Sequence, residues 1–418
     1  MPSPVSSDSV DETLSAIDDF AIQHESAWIA YRRERHCSPE PSGEETTTSH
    51  SVCARLKSIG ISAVIPQRGV GVVGDLLLGS ATERTPAIAV RADIDALRMP
   101  DRKVVDYASI HEGMAHACGH DVHTTVVLGV AETLTHLIRQ ERAVPSARIR
   151  FVFQAAEETG EGAEWMIGDG FLDGVESILG LHVEPNLLAG QIGVRYGVFT
   201  AGVDEVLLTV RGRGGHTARP HSTTDPIHAA VMLVSALYQW LPRKADVREP
   251  SVFTVGQIHG GFAPNVIPDE VTIAGTLRTT DPSVRATLIE QLEFTCQQIG
   301  LLTGNEIQIQ YPHSLGSVIN SKSETQAFEK AGRDALGNDS VIVLDQPSMG
   351  GEDFAAYMSR CTGSQIRLGC ATSIPWPHLH SPVFDVDERC ITVGVRVLTR
   401  AVLNLAEYLH ASTQYSTR

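Results

Sequence analysis

The segment HACGHD carries two side chains that could bind metal ions. Cys118 and His120 are two residues apart, so in an extended loop both would point to the same side of the chain. Thiolate and imidazole are ligands of zinc, and they also suit other late first-row ions. A Cys-x-His pair that stands alone is more often a buried thiol beside a surface histidine. The pair therefore needs further ligands, and Asp121 after it is either a helix N-cap or a catalytic acid.

Two adjacent acids, Glu157 and Glu158, follow the apolar segment RIRFVFQAA and precede a Gly-rich turn. Burying two carboxylates together is costly unless a positive charge such as a metal ion compensates them. At the end of a strand, the turn would let one acid bind a metal while the other faces a water molecule. A solvated acidic turn is the alternative. Histidines repeat this placement, with His182 in GLHVEP and His380 in WPHLHSPVF.

Amide hydrolysis gives a reason to join these residues in one site. Two metal ions about 3.5 to 4 Å apart can polarise an acyl oxygen and lower the pKa of a water between them from 15.7 towards about 7. Such a pair needs about five protein ligands and an open position for substrate. Five candidates are present: Cys118, His120, Glu158, His182 and His380. Glu157 would then take a proton from the water and return it to the leaving nitrogen.

Apolar strands and amphipathic helices alternate around these segments. Strand-like runs are predicted at 71–79, 87–95, 148–156 and 177–185, and a long helix at 121–140. This alternation is typical of an α/β sheet flanked by helices. In such folds, functional groups gather at the carboxyl ends of the strands, which is where the candidate ligands lie in the sequence.

Near residue 198 the pattern changes to six elements in the order βαββαβ, which is typical of a ferredoxin-like unit. They are predicted at 204–212, 225–241, 251–260, 270–279, 282–300 and 306–311. Longer helices return after residue 315. The sequence therefore predicts an α/β fold in which a large catalytic domain, with helices around a mostly parallel sheet, is formed by 1–197 and 313–418. A smaller ferredoxin-like domain at 198–312 interrupts it.

Eight segments resemble, in order, the signature blocks of the metal-dependent aminoacylase and carboxypeptidase-like amidohydrolases. They are RADIDALRMPD (91–101), MAHACGHDVHTT (114–125), QAAEETGEGA (154–163), GLHVEP (181–186), GGHTARPH (214–221), GGFAPNVIPDE (260–270), SMGGEDFAAY (348–357) and HSPVFDVDE (380–388). The family includes auxin-conjugate hydrolases, hippurate hydrolases and N-acetyl-diaminopimelate deacetylases. The match runs from about residue 30 to 410, and eight ordered blocks are far more specific than any one of them.

The resemblance implies roles for individual residues. It implies a two-metal site whose ligands are Cys118, His120, Glu158, His182 and His380, with Glu157 as the catalytic base. His380 is preferred to His378 because it directly precedes SPVF. The inserted domain is implied to be a lid and a dimerisation surface.

Three residues of the inserted domain are implied to meet the substrate. His216 of GGHTARPH would help to stabilise the oxyanion, often in the partner subunit's site. Asn265 of APNVIP and Arg278 of GTLRT resemble lid positions that approach substrate. Arg278 could hold a carboxylate through two parallel hydrogen bonds, although an arginine at such a position is also typical of a surface strand.

Asp93 and Asp95 fall in the block where distant relatives carry a metal-binding His and a ligand-orienting Asp. We expect Asp95 to support a ligand without binding metal itself, with a purely structural loop acid as the alternative. Two residues depart from the family pattern, since Arg98 stands where Pro is usual and Cys37 replaces a common basic residue. Neither departure removes a ligand. Arg98 is close enough to the block to alter loop shape or substrate preference.

Composition and charge exclude several partners. Among 418 residues, 33 are Lys or Arg and 50 are Asp or Glu, and the formal net charge of −17 repels nucleic-acid phosphates and anionic headgroups. The apolar runs are much shorter than the roughly 20 residues of a transmembrane helix, and the acidic N-terminus does not resemble an export signal. The seven Cys form an odd, unpatterned set. We expect a cytoplasmic protein with reduced thiols and no nucleic-acid or membrane partner.

These observations predict a dinuclear metal-dependent amidohydrolase that cleaves an N-acyl amino acid or a related small-molecule amide to a carboxylate and an amine. Zinc or manganese is expected, while cobalt or nickel would also suit the ligands. We expect a homodimer or higher homo-oligomer through the lid domain. A dipeptidase, a carboxypeptidase or a hydrolase of another C–N bond, such as one on an aromatic amine, could use the same site. A catalytically silent metal-binding protein is the alternative of another class, and Glu157 argues against it.

Overall fold

A computed structural model describes residues 7–416. Its helices are α1 (Ser7–Cys37), α2 (Thr46–Ser58), α3 (His120–Arg139), α4 (Gly162–Gly168), α5 (Pro226–Trp240), α6 (Pro282–Thr303), α7 (Lys322–Leu336), α8 (Phe354–Tyr357) and α9 (Arg389–Ser416). Within this part of the chain, none of the helices has the length and apolar composition that a membrane crossing requires.

The strands range in length from two residues to fourteen. In chain order they are β1 (Ser62–Val64), β2 (Val72–Leu78), β3 (Ala87–Asp93), β4 (Ala147–Gln154), β5 (Val175–Leu188), β6 (Ile192–Val194), β7 (Gly197–Val198), β8 (Gly202–Arg211), β9 (Gly215–His216), β10 (Ser251–Gly260), β11 (Val266–Ile267), β12 (Glu270–Thr279), β13 (Glu306–Gln310), β14 (Ser314–Leu315), β15 (Ile319–Asn320), β16 (Val341–Val343) and β17 (Thr362–Ala371).

The chain divides into two compact units. The first contains the described residues up to Gly197, together with Ile319–Asp345 and the residues from Ala356 onward. The second contains Val198–Val318 and Gln346–Ala355. Each unit has its own cluster of buried apolar side chains, as expected of a domain.

An eight-stranded sheet forms the centre of the first unit, in the order β1-β2-β4-β3-β5-β17-β6-β16. β3 is parallel to β4 and β5, β5 is parallel to β17, and β6 is parallel to β16. Every residue of β3 is buried, as is typical of a central strand covered on both faces. The predicted α/β fold with a mostly parallel sheet is therefore confirmed.

Helices α1, α3 and α9 pack against one another in the first unit. Their close approach depends on Gly129 in α3, since a Cβ atom there would lie 2.5 Å from Val395 Cγ2 and 3.2 Å from the Trp28 ring. Nearly all of α3 is buried, which agrees with its apolar sequence. The layer that these helices form holds the start of α3, and with it His120, in a fixed place.

The second unit contains a five-stranded antiparallel sheet, in which four strands follow the order β10-β12-β8-β13 and β14 also pairs with β8. Alternate residues of β8, namely Val206, Leu208 and Val210, pack with α5 and α6 in one core. Both helices begin in the same way, because Asp225 and Asp281 accept hydrogen bonds from backbone N–H groups and a Pro follows each of them. The element order matches the predicted βαββαβ pattern.

The extent of the second unit differs from the sequence-based expectation. The sequence pattern places residues 313–318 and 346–355 in the larger domain, whereas they pack with the second unit. The physical reason is backbone pairing: Glu205 N donates to His313 O, β14 pairs with β8, and Ala201 N donates to Ser348 O. The assignment of this unit as a lid and dimerisation domain stays a prediction.

Candidate metal centre

The loop that carries Cys118 leads directly into α3. Gly119 has a left-handed backbone (φ +84°), which glycine adopts readily, and a Cβ atom there would lie 2.4 Å from Val183 Cγ2. His120 is the first residue of α3, so only Cys118 lies in the loop that the spacing predicts as extended. Both side chains are buried. Asp121 is the second helical residue, and Gly119 occupies the N-cap position that the sequence suggested for it.

His182 of β5 faces Cys118. Its Nε2 atom lies 3.4 Å from the Cys118 Sγ atom, and its Nδ1 atom donates to the Val183 carbonyl oxygen at 2.8 Å. A proton on Nδ1 leaves the lone pair of Nε2 directed at the cluster. Burial, with the positive charge of Arg367 nearby, holds the pKa of His182 well below its usual range. The ring is therefore neutral, which is the form that binds metals.

Glu158 and His380 approach from two other loops. Glu158 Oε1 lies 3.4 Å from His380 Nε2 and 3.9 Å from His120 Nε2. His380 has a left-handed backbone (φ +61°), and its N–H donates to the Ala117 carbonyl oxygen at 2.8 Å. Such strained non-glycine residues cluster at functional sites.

The ligand atoms form one connected cluster. Among the described residues, three of the five sets whose ligand atoms all lie within 4.8 Å of one another contain at least two of the predicted ligands: Cys118, His120 and His182; Cys118, Glu158 and His380; and His120, Glu157 and Glu158. Cys118, His120 and Glu158 each belong to two of these sets. The structure thus brings together all five predicted ligands and Glu157, from segments up to 262 positions apart (380 minus 118).

Two buried polar atoms in this cluster fit the presence of metal ions. His120 Nε2 and Glu158 Oε1 are buried and accept or donate no hydrogen bond. A buried polar atom without a partner is costly, and a coordinate bond to a cation would remove that cost. Sulfur, nitrogen and oxygen donors together suit late first-row divalent ions. The residues present therefore fit a pair of divalent metal ions.

Asp95 forms hydrogen bonds with two of the predicted ligands, His120 and Glu158. Its Oδ1 atom lies 3.0 Å from His120 Nδ1, and its Oδ2 atom accepts from Ser42 Oγ at 2.7 Å and from Glu158 N at 3.0 Å. Burial opposes the negative charge, but the hydrogen bonds with His120 and Ser42 hold the pKa of Asp95 below its usual range. A carboxylate on one ring nitrogen orients the other towards a metal.

A second carboxylate–histidine pair, Asp93 and His123, lies beside the first. Asp93 Oδ1 is 2.6 Å from His123 Nδ1, and His123 Nε2 accepts from Val183 N at 2.9 Å. Arg91 Nη1 donates to Asp93 Oδ2 at 2.7 Å. No role is assigned to His123 in the sequence analysis above. Its position one helical turn after His120 was the available signal, because residues i and i+3 share a helix face.

The turn that carries Glu157 is held by Glu45, which the sequence analysis did not single out. Glu45 Oε1 accepts from Ala156 N at 2.8 Å and from Gly43 N at 2.9 Å. Ala156 has a left-handed backbone (φ +56°) directly before the proposed base. Burial and the negative charge of Asp95 raise the pKa of Glu45 to about 7.

Arg98, which replaces the usual proline, forms an exposed ion pair with Glu44 at 2.5 Å. Glu44 directly precedes Glu45, and Arg98 follows Asp95 in the chain. The ion pair therefore joins the two loops whose carboxylates, Glu45 and Asp95, accept hydrogen bonds from the backbone on either side of Glu157. An effect of Arg98 on substrate preference stays a prediction.

The second unit contains the three residues expected to meet the substrate. His216 in β9 pairs with Val266 in β11, and Thr217 N donates to the Asn265 carbonyl oxygen at 3.2 Å. His216 and Asn265 are therefore neighbours on one two-stranded ribbon, and both are exposed. Arg278 lies on β12, where its Nη1 donates to the Met349 carbonyl oxygen at 2.7 Å. The roles of all three stay predictions.

A family model described as Peptidase family M20/M25/M40 matches residues 89–404. An N-acetyl-L-cysteine deacetylase of Bacillus subtilis is 36% identical over 364 residues, which cover 87% of this chain and 84% of that protein. An IAA-amino acid hydrolase of Arabidopsis thaliana is 35% identical over 392 residues, covering 92% and 87%. The solved structure of a dinuclear metal-binding M20 peptidase from Bacillus subtilis is similar with a TM-score of 0.79 at 30% identity, covering 92% and 99%. Together with the cluster of ligand atoms, these matches establish that the chain belongs to peptidase family M20/M25/M40 and is a metal-dependent amidohydrolase.

Proposed function

We propose that this enzyme hydrolyses N-acyl amino acids, or closely related small amides, to a carboxylate and an amine. The observation that carries the proposal is the place of Glu157, whose Oε2 atom lies 3.9 Å from His120 Nε2 at the edge of the ligand cluster. Structural metal sites are closed by their ligands, whereas catalytic sites keep an open position with an acid or base beside it. The deacetylase and the IAA-amino acid hydrolase among the relatives act on N-acylated amino acids, which supports this substrate class.

In this proposal Glu157 carries out the proton transfers, and Asp95 and Glu45 position other groups of the site. Two divalent ions held by the five ligands would supply Lewis-acid polarisation of the acyl oxygen and make water more acidic. Glu157 accepts the proton of the attacking water on a carboxylate oxygen and passes it to the amide nitrogen as the C–N bond breaks. Asp95 keeps His120 oriented, and Glu45 keeps the Ala156 backbone before Glu157 in place.

His216, Asn265 and Arg278 of the second unit bind the substrate in this proposal. The imidazole of His216 donates a hydrogen bond to the oxyanion that develops on the acyl group, acting in the active site of the other protomer. Arg278 holds the carboxylate of the amino-acid half, and Asn265 offers an amide to its polar atoms.

Zinc or manganese is the proposed metal, and cobalt or nickel would fit the same donors.

Burial and the negative charge of Glu158 raise the pKa of the Cys118 thiol well above its usual value. The thiolate that binds metal therefore forms only as the metal enters, and metal uptake releases a proton.

A homodimer through the second unit is proposed from its exposed apolar surface. Strand β10 forms one edge of the five-stranded sheet, and Val252 and Ile258 on it are exposed. On α5, Ile227, Val231 and Tyr238 form an exposed apolar stripe at helical spacing. An unpaired edge beside an apolar helix face is suited to self-association.

Sedimentation of a Val231→Glu variant tests the dimer. The charge should dissociate the dimer without unfolding the unit, because Val231 is 65% exposed. Leu302→Glu on α6, at an equally exposed apolar position outside the stripe, should leave the dimer intact. A wild-type protein that sediments as a monomer would contradict the proposal.

We further propose a cytoplasmic enzyme without nucleic-acid or membrane partners. All seven cysteines are free thiols, as reducing compartments favour, and the net charge of −17 disfavours binding to polyanions.

A substrate screen with defined metals tests the function. The purified protein is stripped with a chelator, reconstituted with zinc, manganese, cobalt or nickel, and incubated with N-acetyl, N-benzoyl and indole-acyl amino acids, dipeptides and aromatic amides. Amine release is expected only from metal-loaded protein and fastest from N-acyl amino acids. Faster cleavage of dipeptides or of aromatic amides would favour the peptidase or the other C–N hydrolase. Tight metal binding without cleavage of any amide would show a silent metal-binding protein.

A further inference from the structure

We propose that Arg32 of α1 is a positioning residue for the metal centre, because its guanidinium joins the chain segment that contains Cys118 and His120 to the segment that follows His380. The inference rests on the ligand set of the proposed function. Arg32 contacts no ligand directly; it contacts carboxylates that lie one to eight positions from them in the chain.

The guanidinium of Arg32 is completely buried and binds three carboxylates. Its Nε atom donates to Asp121 Oδ2 at 2.6 Å, Nη1 donates to Glu388 Oε1 at 3.3 Å, and Nη2 donates to Asp385 Oδ1 at 3.3 Å. The ring of Tyr107 lies against it, 5.1 Å from centroid to guanidinium carbon. A planar guanidinium can serve acceptors in three directions, which the compact ammonium of lysine cannot do.

Asp121 is the link from Arg32 to the first pair of ligands. It is the residue after His120 in the first turn of α3, and its Oδ2 atom also bonds His36 Nδ1 at 2.7 Å. Arg32 and His36 are one turn apart on α1, so one helix holds the start of another through a single carboxylate. Movement of Asp121 would turn the first residues of α3, including His120.

Asp385 and Glu388 are the link to His380. They lie in the segment between His380 and α9, and Tyr107 Oη donates to Asp385 Oδ2 at 2.7 Å. At the other end of this segment, His380 N donates to Ala117 O, next to Cys118. The two ligand segments thus meet twice, directly through that backbone hydrogen bond and indirectly through Arg32.

The pairing has a direct physical consequence. Asp121 is buried, and its Oδ2 atom accepts a hydrogen bond from Arg32 Nε at 2.6 Å and bonds His36 Nδ1 at 2.7 Å. Without Arg32, the buried Asp121 carboxylate would lose its only arginine partner among the described residues, and it would move or draw in water. Each response displaces His120, and a metal centre assembled from two segments would lose affinity for its ions.

Arg33 is a matched control in the adjacent position. It is about half exposed and binds Glu388 through both Nε and Nη2, at 2.9 and 2.5 Å. Among the described residues, Arg33 forms no ion pair with Asp121 or Asp385. Removal of Arg33 therefore deletes one positive charge from the same helix, α1, but leaves the contacts of Arg32 with Asp121 and Asp385 in place.

Metal affinity is the readout that separates positioning from general stabilisation. Dissociation constants for zinc and manganese are measured by competition with a chromophoric chelator for the wild type, Arg32→Met, Arg32→Lys and Arg33→Met. We expect about 10- to 100-fold weaker binding for Arg32→Met, the range typical of groups that support metal ligands. Arg32→Lys should recover only part of this loss, and Arg33→Met should stay within about twofold of the wild type.

Stability is controlled with a core variant. Phe328→Leu in α7 removes buried volume in the same unit and should lower the midpoint of unfolding without changing metal affinity. If Arg32→Met does not fold, Tyr107→Phe, which removes only the hydrogen bond to Asp385, should still weaken metal binding several-fold.

A folded Arg32→Met protein with wild-type metal affinity would overturn the positioning role, and so would unchanged affinity in Tyr107→Phe when Arg32→Met fails to fold. A wild-type protein that binds no divalent ion would instead overturn the ligand set on which the proposed function depends. The two failures are therefore distinguishable in one experiment.

Discussion

The groups that would hold the metals and the groups that would bind the substrate are built in different ways. In the first unit, Cys118 and His120 are buried, and His120 is held by the buried carboxylate of Asp95. In the second unit, His216 and Asn265 are exposed on a ribbon of two-residue strands held by a few backbone hydrogen bonds. Metal affinity requires a preformed set of donors, whereas a group that meets only the substrate can be ordered when the substrate binds.

The largest expected effect tests whether Glu157 acts in the reaction without contributing to metal binding. Glu157→Gln should lower kcat about 1,000-fold, because the amide cannot accept the proton of water, while metal content stays at the wild-type level. Steady-state kinetics and elemental analysis measure the two quantities. Glu161→Gln, an exposed acid in the same turn, is the control and should keep its activity. Wild-type turnover in Glu157→Gln would refute its role as the base.

His216→Ala tests the exposed ribbon. We expect kcat to fall about 100-fold, as for removal of one oxyanion donor, with metal affinity unchanged. Kinetics on an N-acyl amino acid and chelator competition measure both. His221→Ala, a nearby exposed histidine, should keep its activity. A large loss of metal affinity in His216→Ala would remove the contrast between the two regions.

Cys118→Ser tests the contribution of the thiolate to metal binding. Replacing a thiolate by a hydroxyl should weaken metal binding roughly 100-fold and reduce the number of protons released on metal uptake. Isothermal titration in buffers of different ionisation enthalpy measures both quantities. Cys53→Ser, at another buried thiol, is the control. Unchanged metal content in Cys118→Ser would remove this residue from the ligand set.

The smallest expected effect is on the stability of the metal-free protein, which should depend on pH through Glu45. Its pKa in the folded protein is about 7, against an ordinary value of 4.5, so the folded state binds the proton more tightly than the unfolded state. Stability of metal-free protein should therefore fall as pH rises from 4.5 to 7, by on the order of 2 kcal/mol from this group. In Glu45→Gln, denaturant unfolding across this range should show a correspondingly flatter profile. An identical slope in both proteins would contradict the assignment.

Short motifs made the ligand cluster predictable from the sequence. Cys118, His120, Glu158, His182 and His380 lie in local patterns whose residue types already indicate metal chemistry, and strand ends are where such groups gather. The βαββαβ order of the second unit was predictable for a similar reason, because alternation and helix caps are local signals.

The supporting residues could not be predicted in the same way. Arg32 and Asp385 are 353 positions apart in the chain, and Glu45 and Ala156 are 111 apart. Nothing in the local sequence of α1 or of the loop at 41–45 distinguishes a buried partner from a solvated charge. Only the packing of distant elements decides which charges are desolvated, and therefore which become supports of the site. The same reason explains why residues 346–355 belong with the second unit.

The order of strands in the central sheet has a consequence for synthesis of the protein. β17, which lies between β5 and β6, is encoded after the whole second unit. While the ribosome translates those intervening residues, β5 and β6 have been made but the strand that separates them has not. Folding of the first unit must therefore wait for the last part of the message, and during that interval two open sheet edges are available to chaperones or to misassembly. His380, the last of the five proposed ligands in the chain, emerges later still, so a site with this ligand set would load metal only on the released or nearly finished chain.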